Sequence, residues 1–303
     1  MILVTGGLGM IGAHTARALA DLGRDVIVTA HGRTEVPSFL AGRVTVERLD
    51  VTDRAALLAL GERHPISDVV HLAGSIPDAD PIGYFRADTT GLLNALEAAR
   101  TWRVRRFAVA SSLGSYLGRA EVPWHEELAL PAARAPHPII AFKRAVEPLA
   151  THALLGSEVQ PVVLRIGSTW GPLMDPESPF NPIPPYVSAA LRGDRPPVLA
   201  ADGGGDTCYA ADAGRAIAAL ITAEALAHEI YNVSSGRPYT NRELADAVRA
   251  AVPGADPEVE PGGSGANPYL DIGRLTADTG FTPAFDLAGA VADYIAWRAD
   301  NAR

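Results

Sequence analysis

The sequence is poor in cysteine, in lysine and in long apolar runs, and each shortage excludes something. A single cysteine, Cys208, rules out an internal disulfide and leaves no thiol set for a metal, so no metal site is expected. No apolar stretch approaches the ~18 residues needed to span a bilayer. The first basic side chain is Arg17, so the start does not read as a secretory leader. A cytoplasmic chain with no membrane partner is expected. Positive charge is in deficit: 26 Lys and Arg face 35 Asp and Glu, a formal net charge of −9 over 303 residues. Nucleic-acid binding needs a basic face, so no such partner is expected either. The lysine shortage says most. Of the 26 basic residues only Lys143 is lysine. The two cations differ most where a compact ammonium of tunable pKa is required, which marks Lys143 as a candidate for a catalytic site.

What is present begins with a glycine turn. A short apolar run leads into Thr5-Gly6-Gly7-Leu8-Gly9-Met10-Ile11-Gly12, a helical pattern covers residues 13–22, and a second strand covers 26–28. Strand, glycine turn and helix form a dinucleotide site: Gly6 and Gly7 permit the tight turn, Gly9 lets backbone approach a pyrophosphate, and Gly12 packs helix on strand. An NAD site normally has an acid at the end of the second strand to hold the ribose 2′-hydroxyl. Here that stretch reads Thr29-Ala30-His31-Gly32-Arg33, and Arg33, aided by His31, suits a 2′-phosphate. NADP is favoured over NAD.

Alternation continues: strands at 44–47, 69–73, 107–111 and 162–166, and helices at 53–62, 90–100 and 139–155. Such alternation predicts an α/β fold, a Rossmann-type doubly wound parallel sheet with a smaller C-terminal substrate-binding lid. The boundary falls at Gly171-Pro172, where a Pro- and Gly-rich stretch begins. Residues 1–171 form the nucleotide domain and 172–303 the substrate domain. A helix over 212–227, with Asp212 as its N-cap, returns to the first domain. Its partner is a small molecule bound between the two.

These motifs resemble the extended (atypical) short-chain dehydrogenase/reductase family, in its NAD(P)-dependent epimerase/dehydratase group. The resemblance runs nearly end to end. It rests on the opening turn, on Leu49-Asp50-Val51-Thr52-Asp53, on His71-Leu72-Ala73-Gly74, and on Ser111-Ser112-Leu113-Gly114-Ser115-Tyr116. Leu164-Arg165, Trp170-Gly171-Pro172 and Tyr231-Asn232-Val233 extend it. It implies that Gly6, Gly9, Met10, Ile11, Gly12, Asp50, Val51, Leu72, Ala73, Gly74 and Lys143 meet the cofactor. It also implies that Ser75, Ser112, Ile139 and Ser168 border the substrate, where Tyr186 and Arg192 are polar handles of the Pro-rich lid segment 173–199, and that two copies pair through the helices near 90–100 and 139–155 as a homodimer.

Family chemistry uses a Ser, a Tyr and a Lys, with the Tyr four residues before the Lys. Ser112 and Lys143 match, the ammonium holding the nicotinamide ribose and lowering the tyrosine pKa. Isoleucine, Ile139, stands in the tyrosine's place. Removing a general acid/base typically costs 10²–10⁴-fold, about 3–5 kcal/mol. Tyr116 and His137 are the stand-ins, with His125 a third. Two further departures lie close by: the family's usual Asn near Gly91 is Asp88, and the Asn expected after Leu164-Arg165 is Ser168.

The expected function is therefore that of an NAD(P)-dependent oxidoreductase or epimerase/dehydratase-like enzyme with an altered acid/base. Its expected substrate is a small sugar-like or hydroxy-carbonyl compound. Two alternatives stay open: a redox-neutral lyase, isomerase or cyclase, and a non-catalytic NADP-binding regulator. The lone lysine and intact Ser112 favour an enzyme.

Arg33→Ala is expected to weaken NADPH selectively, by the roughly 1.5–3 kcal/mol of a charge-assisted contact. Fluorescence titration of both reduced cofactors measures this; tighter NADH than NADPH binding by the unaltered protein would overturn the preference.

Overall fold

The computed structural model describes residues 1–32, 34–77, 80–263 and 266–303. Six short runs become strands β1 (Ile2–Thr5), β2 (Val26–Ala30), β3 (Thr45–Arg48), β4 (Asp68–His71), β5 (Arg106–Ser112) and β6 (Gln160–Ile166), joined by a seventh strand, Ile230–Val233. All are parallel, in the order seventh strand, β6, β5, β4, β1, β2, β3. β1, β2 and β4 are buried along their whole length, so their apolar residues run consecutively instead of alternating. One face packs Val4 and Val28 against Ala13 and Ile217; the other packs Leu3, Ile27 and Val69 against Leu92 and Val146. The fold is the doubly wound α/β architecture of Rossmann type.

Helices follow in chain order: α1 (Met10–Asp21), α2 (Arg54–Leu58), α3 (Leu60–Arg63), α4 (Pro81–Trp102), α5 (Pro138–Leu154), α6 (Ile183–Leu191), α7 (Ala210–Thr222), α8 (Asn241–Ala251), α9 (Gly273–Thr279) and α10 (Leu287–Asp300). The single helix expected over 53–62 is broken at Ala59, though Asp53 does cap its start by accepting from Ala56 N. α4 begins at Pro81 instead of near residue 90. Proline at the first helical position loses no hydrogen bond, and Asp80 caps the turn by accepting from Ile82 N and Gly83 N.

A second correction concerns Asp212. It is not an N-cap; it sits inside the first turn of α7, where the preceding Tyr209 supplies no side-chain cap. Its carboxylate instead accepts from Ala284 N and Phe285 N, each at 3.0 Å, and pairs with Arg215 at 2.6 Å. α7 lies hard against α1. A Cβ placed on Gly214 would stand 2.4 Å from the His14 carbonyl, so only glycine permits this approach. Beyond the sheet, Trp170, Ile183, Tyr186, Leu244, Val291 and Tyr294 form a separate apolar cluster of the C-terminal part. Among the described residues, no helix is long and apolar enough to cross a membrane.

His14 is enclosed in the α1–α7 packing. One ring nitrogen bonds the Pro172 carbonyl, while Nε2 has no partner among the described residues. Burial, aided by the charge of Arg17 and opposed by Pro172 and Asp293, lowers its pKa from 6.5 to about 4. The folded state therefore holds this histidine neutral, and its contribution to stability, complete above pH 6.5, is lost as pH falls toward 4. His14→Leu is expected to recover on the order of 2 kcal/mol at pH 5 relative to its effect at pH 8. Urea melts at the two pH values measure this, and an identical loss of stability on acidification in both proteins would count against it.

Candidate active site

β1 is flanked by β2, reached one way across the sheet, and by β4, reached the other. Ligands of open parallel sheets lie outside the strand ends at such a reversal. A cavity of about 550 Å³ opens there, lined among others by Gly6, Gly9, Thr29, Ala30, His31, Asp50, Val51, Leu72, Ala73, Gly74, Ser75 and Asp88. The turn leading into it admits only glycine: Gly6 has φ of +65°, and a Cβ on Gly12 would fall 2.3 Å from the Gly6 oxygen. Gly9 begins α1 without any side-chain cap, leaving its first N–H groups for an anion. Bare helix start, glycine turn and cavity size together fit a dinucleotide. Met10, Ile11 and Gly12 form the first turn of α1 and are not among the residues lining the cavity.

At one end of the cavity, β2 finishes on Ala30 with no acid, and His31 Nε2 lies 3.8 Å from Asp50 Oδ2. Asp50 also accepts from Thr52 N at 2.9 Å, and that backbone bond holds its carboxyl below the ordinary range. Arg33 lies outside the described residues.

Asp88, at the other end, adjoins different chemistry: Lys143 and Ser112 are not among the residues lining the cavity, but Lys143 interacts electrostatically with Asp88. Lys143, half-buried on α5, donates from Nζ to the Ala110 carbonyl at 2.7 Å, two residues before Ser112 on β5. Desolvation lowers its pKa from 10.5 to about 8, with Asp88 opposing the fall. Ser112 Oγ accepts from Gly114 N at 3.1 Å and so caps the turn Leu113–Tyr116. Just beyond β4, Ala73 N donates to Thr5 Oγ1 (3.2 Å), and that hydroxyl shares a hydrogen bond with His71 Nδ1 (2.9 Å). Burial and the charge of Lys143 hold the His71 pKa at about 3, so its ring is neutral. Asp88 of α4 accepts from Ser75 N at 3.1 Å and from Ser75 Oγ at 2.7 Å, and the Tyr84 hydroxyl bonds the same carboxyl. Sequence reasoning finds Asp88 only as a departure from a family pattern. With α4 started at Pro81, Tyr84 and Asp88 fall one turn apart on its face, which is the signal that would have joined them.

Several expected residues are not brought here. Tyr116 is fully buried: its hydroxyl donates to Asn232 Oδ1 (3.0 Å), accepts from Arg165 Nη1 (2.7 Å), and its ring stacks on Trp124. It has no proton to offer the cleft, which corrects its place among the stand-in acids. Tyr186 is buried in the C-terminal cluster instead of bordering a substrate. Arg192 is exposed and paired with Glu177 (2.6 Å) and Asp194 (2.7 Å). The Ser168 hydroxyl accepts from Asn181 Nδ2 at 2.9 Å, while its backbone N–H donates to Asp206 at 2.8 Å. His137 caps α5 by accepting from Ile139 N at 3.2 Å and is otherwise exposed; His125 is half-buried and paired with Glu127. Ile139 itself packs against the apolar core under the sheet. Among the described residues no group of His, Cys, Asp and Glu is placed to hold a metal ion.

Residues 2–234 match the model of the NAD dependent epimerase/dehydratase family. The dTDP-glucose 4,6-dehydratase of Streptomyces griseus is 30% identical over 321 residues, covering 98% of this chain and 93% of its own. The UDP-glucose 4-epimerase of Erwinia amylovora is 28% identical over 279 residues, 82% of each chain. Among solved structures, the Thermus thermophilus UDP-glucose 4-epimerase in complex with NAD superposes with a TM-score of 0.80 at 27% identity, over 99% of both chains.

Tyr116→Phe is expected to act on stability alone. The change strips a partner from both Asn232 and Arg165, a loss of about 1–3 kcal/mol, and leaves dinucleotide affinity within about twofold. Thermal unfolding alongside cofactor titration separates the two; unchanged stability with lost turnover would return Tyr116 to the reacting groups.

Proposed function

The chain belongs to the NAD dependent epimerase/dehydratase family, and from that premise we propose that it is a nicotinamide-dinucleotide enzyme working on the carbinol or carbonyl carbon of a sugar nucleotide. One observation carries the reading. The only lysine of the chain is fixed on the Ala110 carbonyl, near the end of the strand that bears Ser112, and interacts electrostatically with Asp88 of the cavity wall. A protein that merely held a nucleotide has less need of either residue. The substrate class rests on the relatives, whose names specify UDP-glucose and dTDP-glucose.

Bound in the cavity, the dinucleotide supplies reversible hydride uptake. The glycine turn and the start of α1 hold its pyrophosphate, and Lys143 holds the ribose nearest the reacting carbon. Because its pKa is about 8, Lys143 is mostly cationic at neutral pH and contributes charge as well as hydrogen bonds. Ser112 orients the substrate oxygen, and residues 172–303 close over the sugar as the smaller domain. Ala30 and His31, with Arg33 beyond them, favour a 2′-phosphate and hence NADP. Leu93 on α4 and Leu149 on α5 are exposed, which suits pairing of two copies through those helices. Ile139, half-buried and packed against the core, favours one other reading: a binder whose cofactor is never reduced.

Lys143→Arg is expected to lower dinucleotide affinity by about 10–100-fold despite retaining the charge, since the planar fork cannot replace the ammonium. The protein loaded with oxidised cofactor is mixed with UDP-glucose, UDP-glucuronic acid or dTDP-glucose, following absorbance at 340 nm and the sugar by NMR. Cofactor binding with no change in any sugar nucleotide would leave the non-catalytic binder standing.

A further inference from the structure

We propose that Asp88, acting through the Ser75 hydroxyl, takes up and returns the proton of the substrate's reacting oxygen, in place of the phenol that Ile139 excludes. This rests on the function proposed above. The titratable groups lining the cavity among the described residues divide between its two ends: His31 with Asp50 beside Thr52, and Asp88 beside Gly74 and Ser75. His31 and Asp50 attend to each other. Asp88 is the carboxylate at the end where Lys143 lies.

Its hydrogen bonds suit the task. The carboxylate accepts from Ser75 N at 3.1 Å, from Ser75 Oγ at 2.7 Å and from the Tyr84 hydroxyl. Tyr84 cannot itself be the base: burial and the neighbouring Asp88 both push its pKa up, so it keeps its proton. Ser75 is exposed at the cavity wall, and its oxygen, having donated inward, still has lone pairs for a donor arriving from the cleft. Lys143 faces Asp88 from α5 and adds a positive charge that supports a developing oxyanion. His71, on β4, is neutral and occupied by Thr5.

The step is a proton transfer and moves no electrons. The substrate O–H breaks as its proton joins Ser75 Oγ, the former Ser75 proton passes to Asp88 Oδ1, and the negative charge passes to the substrate oxygen. A dinucleotide held in the cavity would supply the hydride acceptor that lets this oxygen become a carbonyl, and Asp88 and Ser75 would return the proton by the reverse path. The family resemblance places an amide at position 88 and a phenol at 139; this chain carries a carboxylate at the first and isoleucine at the second. One proton-active group is gone and another has appeared, on the cavity wall.

Asp88→Asn keeps an acceptor for Ser75 and removes the charge. With one lysine in the chain, [15N]lysine labelling of the whole protein yields a single Nζ resonance, whose titration reports the carboxylate without any turnover. In Asp88→Asn that midpoint is expected to fall by about half a pH unit or more, since an opposing negative charge is lost. With a sugar nucleotide that the unaltered protein converts, kcat is expected to drop about 10²–10⁴-fold. KM and dinucleotide affinity stay near normal, and the acidic limb of the kcat profile disappears. Ser75→Ala should lose as much, the double variant no more than either, and Asp88→Glu should regain part. An unmoved Lys143 titration, or an Asp88→Asn enzyme with the normal pH profile, overturns the relay while the unaltered protein's turnover preserves the function. Failure of the unaltered protein on every sugar nucleotide overturns the function, and the relay with it.

Discussion

A charge pair cut off from water, Arg165 of β6 with Glu147 of α5 at 2.8 Å, fixes the geometry on which the cleft depends. Glu147 is one helical turn beyond Lys143, and Ser111 Oγ binds both the Glu147 carboxylate (2.5 Å) and the Lys143 carbonyl (3.2 Å). The same guanidinium donates to the Tyr116 hydroxyl, which reaches Asn232 on the outermost strand. Helix, three strands and the turn after β5 are thereby held in one register. Removing either ion would leave the other buried and unpaired, typically about 3–5 kcal/mol in cost. The position of Lys143 in front of Ala110 is a consequence of this clamp as much as of its own hydrogen bond.

That clamp also explains what is legible in the residues and what is not. The glycine turn, the alternating strands and the match of Ser112 and Lys143 are local patterns, and each is legible because its physics is local. Tyr116 is different. Its spacing from Ser112 places it near the cleft, but its direction is set by Arg165 and Asn232, 49 and 116 residues further along. Tyr186 and Arg192 are likewise plausible by chain position, yet an apolar cluster takes the first and two acids the second. Asp212 has the look of a cap because it precedes an apolar run; its role emerges only when residues 284 and 285 arrive. Ser75 and Asp88 are 13 residues apart across a loop, and no period in the sequence joins them.

The cleft has a plain division of labour. Its glycine-lined wall is dictated by lack of room, since a side chain at Gly6 or Gly12 would strike backbone. Its charged ends are free to vary, because a change of side chain there alters chemistry without disturbing the sheet. Ala30 and Asp88 lie at such places, and there this chain departs from the family pattern. A fixed wall with altered ends is what allows one fold to keep its cofactor while changing how protons are handled.

The grip of Asp212 on the backbone of residues 284 and 285 makes the chain mechanically continuous. That carboxylate fastens the segment before α10 to α7; α7 is seated on α1 at Gly214, and α1 opens onto the nucleotide cavity. The tail cannot peel away without unseating the helix that faces the cofactor. A ligand held at the start of α1 should therefore slow amide exchange and proteolytic nicking in the C-terminal segment, which is fastened to that helix through α7.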